Sequence, residues 1–122
     1  MTRAWLAVAG IGGFLSVAAA AVAAHLAIGD RTAELLRTGA LYAMVHAAAL
    51  IGVAMVAETR TRPDLALIIA GCGFAAGLML FSLSLFALAL TGFKWLGLIT
   101  PLGGVGLLVG WAALGAHALH GR

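Results

Sequence analysis

The chain's 122 residues are 64% hydrophobic and 9% charged, against about 25% charged residues in a soluble domain, which excludes a fold built around a water-exposed surface. Seven Lys and Arg against four Asp and Glu leave a net charge of +3, but the cations are scattered and form no run that could grip a phosphate backbone, so no nucleic-acid partner is expected. The single cysteine, Cys72, has no second thiol for a disulfide or metal site, and between Gly71 and Gly73 it reads as a small buried hydrophobe.

Four stretches, at about residues 4–26, 39–57, 65–90 and 101–119, contain no Asp, Glu, Lys or Arg. At about 1.5 Å per helical residue each is long enough to cross a bilayer. Backbone groups in lipid must be satisfied within the segment, which leaves helices or a closed barrel, and period-two alternation is absent. The expected fold is therefore all-α, a single integral membrane domain of four transmembrane helices.

In chain order, Arg3, an apolar run and the small residues 18–24 have the look of a signal peptide. The run is longer than a usual signal core, so it is read as a permanent first span, with Trp5 at headgroup level. Within the first connection, Asp30 can cap a short interfacial helix through Arg37, with Arg31, Glu34 and Arg37 at i, i+3 spacing. The second span carries the stripe Gly39, Tyr42, His46, Ala49 and Val53. Pro63 fits the start of the third helix, where Gly73, Gly77, Phe81 and Ser84 share a face. Residues 93–99, with Phe93 and Trp95, are expected along the interface. Thr100 and Pro101 then read as a cap and a first-turn proline for the fourth helix, whose face is Gly103, Gly106, Gly110, Ala113 and His117.

Helices in lipid lack a hydrophobic drive to associate, so small-residue faces of this kind serve as packing surfaces. Their meeting in a compact bundle turns Tyr42, His46 and Ser84 inward. His46 lies seven residues beyond Gly39 and Ser84 six before Leu90, roughly 10 Å and 9 Å below the same surface. With His25 and Thr100 near the mouth, these residues form an expected polar layer. An ionisable residue in a span is a functional candidate by default, and the bland alternative for His46 is a neutral ring bonded to a hydroxyl or a backbone carbonyl. Ser82, about 200° around the helix from Ser84, reads as bonding the carbonyl four residues back.

His117 falls near the opposite surface from His25 and His46, so the three do not converge on an ion or a haem, and no carboxylate lies within a span. No metal, cofactor or carboxylate proton relay is expected. His120 beside Arg122 reads as a solvated tail. No nucleophile has an orienting base at an arguable spacing, so no enzymatic activity is expected. Four spans put both termini on one side, with Arg3, Arg60, Arg62 and Arg122 there against Arg31, Arg37 and Lys94 opposite. That excess predicts cytoplasmic termini.

Several segments carry a resemblance: Phe74-Ala75-Ala76-Gly77, Leu80-Phe81-Ser82-Leu83-Ser84, Ala89-Leu90-Thr91-Gly92, Ile99-Thr100-Pro101-Leu102-Gly103-Gly104 and Gly110-Trp111. With His46-Ala47-Ala48-Ala49-Leu50 and Val22-Ala23-Ala24-His25, they make the chain similar to the small four-helix membrane family known as domain of unknown function 423. That family has YgdD-like bacterial and transmembrane-protein-256-like animal members. The resemblance implies a protein of the bacterial inner membrane and brings no established activity, cofactor or catalytic residue. Leu83, where the family often has glycine, and the alanines before His25 depart from the family pattern.

Two functions are expected from these features. The first is a non-enzymatic accessory or structural subunit, surrounded by membrane lipids, that packs with a larger membrane complex or with itself. The alternative is binding or transport of a small solute, lipid or proton through the layer around His46.

Overall fold

The structure is a computed structural model that describes residues 1–120; Arg122, counted in the charge bias, lies outside the described residues. The elements are α1 (Thr2–His25), α2 (Asp30–Glu58), α3 (Leu65–Thr91), a short 3₁₀ helix (Lys94–Leu98) and α4 (Thr100–His120). Among the described residues, four helices are long and apolar enough to cross a membrane, and the charge-free stretch of each is apolar all round, as lipid on the outside and protein on the inside require.

The helix boundaries correct several expectations. Residues 30–37 are no separate interfacial helix. They are the first turns of α2, which runs unbroken to Glu58 because nothing between Arg37 and Gly39 interrupts the backbone ladder. Gly29, at φ +85°, makes the turn, and Asp30 sits inside the first helical turn instead of capping it. Arg37 reaches back to donate to Ala23 O at 3.2 Å, satisfying a last-turn carbonyl of α1. Pro63 precedes the cap of α3. The cap itself is Asp64, whose Oδ1 accepts from Leu67 N at 2.8 Å. The helix ends at Gly92 in the left-handed region, φ +73°. Thr100 is already helical and its hydroxyl turns to Ser84, so it does not act as the cap of α4.

The helices pack as a row more than as a closed square. α1 lies against α2, α2 against α3 and α3 against α4, with a lighter contact between α1 and α3. α4 is therefore held chiefly by α3, and the side between α2 and α4 is open. At the end carrying the N-terminus, the Thr2 hydroxyl donates to the Glu58 carboxylate and joins α1 to α2.

The glycines explain how close the backbones come. A Cβ at Gly73 would sit 2.9 Å from both Gly106 O and Gly110 N, and one at Gly77 would sit 2.7 Å from Leu107 N. At Gly103 it would strike the backbone of Phe81, and at Gly110 the Phe74 ring, at 2.6 Å. At Gly106 it would lie 3.2 Å from Gly77 Cα. Only the absence of these side chains lets α3 and α4 touch main chain to main chain.

Two aromatic and thiol expectations fail for the same kind of reason. Trp5 is only 4% exposed, and its indole fills the space left by Gly71 instead of sitting at the interface. With Gly71 turned to α1 and Gly73 to α4, the intervening Cys72 points outward and is exposed. Trp5 against Gly71 and Gly12 against Leu78 set one parallel register between α1 and α3. The same sequence offset relates Ser16 to Ser82, both essentially fully buried. These serines lie between two apolar clusters, one around Trp5, Leu50, Phe74 and Leu107, the other around Ala19, Leu36, Ala40 and Phe86. Ser16 bonds Gly13 O at 2.7 Å, whereas the Ser82 hydroxyl has no partner, contrary to the expected bond within its own helix.

Candidate functional site

The open side between α2 and α4 holds the most developed polar arrangement. His46, in the middle of α2 and 5% exposed, accepts from Trp111 Nε1 through Nε2 at 3.0 Å. Its Nδ1 lies 2.7 Å from Tyr42 O. An indole nitrogen can only donate, so Nε2 must be the acceptor and the ring proton must be on Nδ1, donating to the carbonyl. His46 is thus a neutral, doubly bonded ring. A proton on Nε2 would set two donors against each other and break the link between α2 and α4.

Aromatic rings build the walls. Tyr42 stacks on His46 with centroids 5.9 Å apart and planes 9° from parallel, and it meets Phe81 at 4.6 Å. Phe74 lies 4.9 Å from Trp111 edge to face, and 5.9 Å from His46. Together with Pro101, Gly104, Val105 and Leu108 of α4, Tyr42, Phe81 and Trp111 border a groove of about 480 Å³. Tyr42 is 41% exposed rather than turned inward, and its hydroxyl forms no hydrogen bond with the described residues.

The expected polar layer divides in two. Ser84 donates to Phe81 O at 2.9 Å and pairs with the Thr100 hydroxyl at 2.6 Å, so these two belong to the contact of α3 with the start of α4. Neither is bonded to His46. His25 is exposed at the end of α1 and joins neither group. Among the described residues, no three of His, Cys, Asp and Glu gather as metal ligands would.

Sequence reasoning did not pair Trp111 with His46, although both lie mid-span on antiparallel helices and a donor-only ring needs an acceptor in lipid. It also left Asp64 and His117 apart, although the start of α3 and the end of α4 share one surface. His117 Nδ1 lies 2.6 Å from Asp64 Oδ2. The Leu67 N–H, followed by His117 and the nearby Arg60 charge, holds the Asp64 carboxyl below the usual carboxylate range.

Residues 19–104 match the family described as "Protein of unknown function (DUF423)". The chain belongs to this family. The UPF0382 inner membrane protein YgdD of Escherichia coli strain K12 is 34% identical, across 98% of this chain and 92% of its own. The UPF0382 membrane protein YwdK of Bacillus subtilis is 38% identical across 83% and 84%, and a UPF0382 membrane protein of Haemophilus influenzae 32% identical across 93% and 92%. No solved structure matches the chain. The resemblance read from the Ser-Leu-Ser and Thr-Pro-Leu-Gly-Gly segments is thereby established, and with it a multi-pass protein of the inner membrane.

Proposed function

We propose that the chain is a non-enzymatic membrane protein that binds a small lipid-soluble molecule in the groove between α2 and α4. The observation that carries this reading is the Tyr42 hydroxyl, unpartnered among the described residues in an aromatic groove bridged by His46 and Trp111. Hydrocarbon offers a phenol no water to bond, and such a hydroxyl ordinarily finds a partner. A ligand with an apolar body and one carbonyl or ether oxygen supplies both needs. Its body lies against Tyr42, Phe81 and Trp111, and its oxygen accepts from Tyr42. His46 acts by holding Trp111 in place. Native mass spectrometry of protein extracted from its own membrane tests this: a defined small molecule retained by the wild type and lost from Tyr42→Phe supports it. Equal retention by the variant, or bulk phospholipid alone on the wild type, overturns it.

A second reading, an accessory subunit packing with a larger complex or another copy, is favoured by different residues. Gly10, Gly52 and Gly115 are exposed with open space where a Cβ would stand, and small lipid-facing residues are what a neighbouring transmembrane helix packs on. Loss of higher-mass assemblies from Gly10→Leu or Gly115→Leu, with the monomer still folded, is its expected signature.

A further inference from the structure

At the end of the bundle away from the termini, a cavity of about 490 Å³ lies between the start of α2, the end of α3 and the 3₁₀ helix. Its polar rim is Arg31 and Lys94 with Thr32, which stands in the first turn of α2, where no side chain caps the helix. The two cations come from segments far apart in sequence, and neither has an ion pair with the described residues. Asp30 and Glu34 lie on the same turns of α2 but do not line the cavity. Two like charges brought to one concavity repel unless an anion sits between them.

The rest of the lining gives the anion its chemistry. Leu35 and Ala89 face the cavity with Leu88, one turn further along their helices from the charged rim and toward the middle of the spans. Phe93 and Trp95, both more than half exposed, flank the same rim and suit headgroup depth. A charged mouth over an apolar wall at that depth fits an amphiphile, whereas a free phosphate ion has no use for the leucines. We propose that this cavity is a binding site for an anionic phospholipid. The phosphodiester lies between Arg31 and Lys94 with Thr32 as a further donor, and an acyl chain runs down Leu35 and Leu88. This site is separate from the groove at Tyr42 and stands or falls without it.

The test is native mass spectrometry of the detergent-purified protein titrated with phosphatidylglycerol or phosphatidylcholine of identical acyl chains, with and without millimolar inorganic phosphate. Wild type is expected to prefer phosphatidylglycerol by roughly ten- to thirtyfold, as two cations near a membrane surface imply, and phosphate is expected not to displace it. Lys94→Gln, on an exposed side chain that no fold contact depends on, is expected to lose most of that preference, and Arg31→Gln/Lys94→Gln all of it. Lys94→Arg is expected to restore it. No preference in the wild type, an unchanged preference in Lys94→Gln, or displacement by inorganic phosphate overturns the proposal.

Discussion

Asp64 ties the start of α3 to the end of α4: Oδ2 lies 2.6 Å from His117 Nδ1 while Oδ1 caps α3 through the Leu67 N–H. One carboxylate thus serves both helices at one surface of the bundle. Because its folded-state pKa is depressed, its contribution is complete above the usual carboxylate range and is lost as pH falls through the lowered folded value. Thermal midpoints in detergent are expected to hold steady from neutral pH down to that range and then drop. Asp64→Ala is expected to lower the midpoint at neutral pH and to flatten that acid limb. A variant that keeps the wild-type acid limb would show that Asp64 does not supply it.

The α3–α4 contact makes a sharper forecast. Gly103 lets the Phe81 backbone approach where a Cβ would stand, and main chain cannot step aside as a side-chain tip can. Gly103→Ala is expected to destabilise the protein by about 1–3 kcal/mol, the scale of overpacking in a filled core. Gly115→Ala, into open space, is expected to be neutral or to stabilise by about 0.5–1 kcal/mol through helix propensity alone. Denaturation from mixed micelles, followed by circular dichroism, separates the two; equal effects would mean the backbone contact is not tight.

The four spans were legible because bilayer thickness and the cost of buried charge leave a mark on the sequence that needs no knowledge of neighbours. The glycine stripe of α4 was legible for the same reason as any helical face, a fixed period. What escaped were relations between helices. Trp5 has the composition of an interfacial anchor, and only the hole at Gly71 turns it into core. Ser84 and His46 do not share the depth expected of them: Gly39 faces Leu85 and Phe86, so Ser84 lies beside that contact and pairs with the start of α4, while His46 lies two turns deeper and meets its middle. Residue counts give depth only once the helix ends are known, and α2 begins at Asp30, nine residues before the Gly39 from which His46 was counted; azimuth depends on which neighbour each helix has.

Ser82 is a case where removing a polar group is expected to help. Its hydroxyl is buried without a partner, so Ser82→Ala gives up no bond and relieves a desolvation cost. The expected effect is stabilisation of up to about 1 kcal/mol. Ser84→Ala, which breaks the pairing with Thr100, is expected to cost about 0.6 kcal/mol, typical of hydrogen bonds between membrane helices. Unfolding midpoints for the two alanine variants should therefore move in opposite directions, and a loss of stability in Ser82→Ala would contradict the unpartnered hydroxyl.

The bridge from His46 to Trp111 can be isolated by a double-mutant cycle. Trp111→Phe keeps a ring in the groove and removes only the donor, leaving His46 Nε2 bare; His46→Leu removes the acceptor. Each single change is expected to cost about 1 kcal/mol, and a coupling of about 0.5–1.5 kcal/mol between them reports the bond itself. Zero coupling would assign the loss to packing. The location of the effect is as informative as its size. Since α4 is otherwise held chiefly by α3, hydrogen exchange in Trp111→Phe is expected to rise along α4 while α1 and α2, packed on each other, keep their protection. A rise spread evenly over all helices would instead mean that the bridge supports the whole bundle and that the groove beside it is not independently mobile.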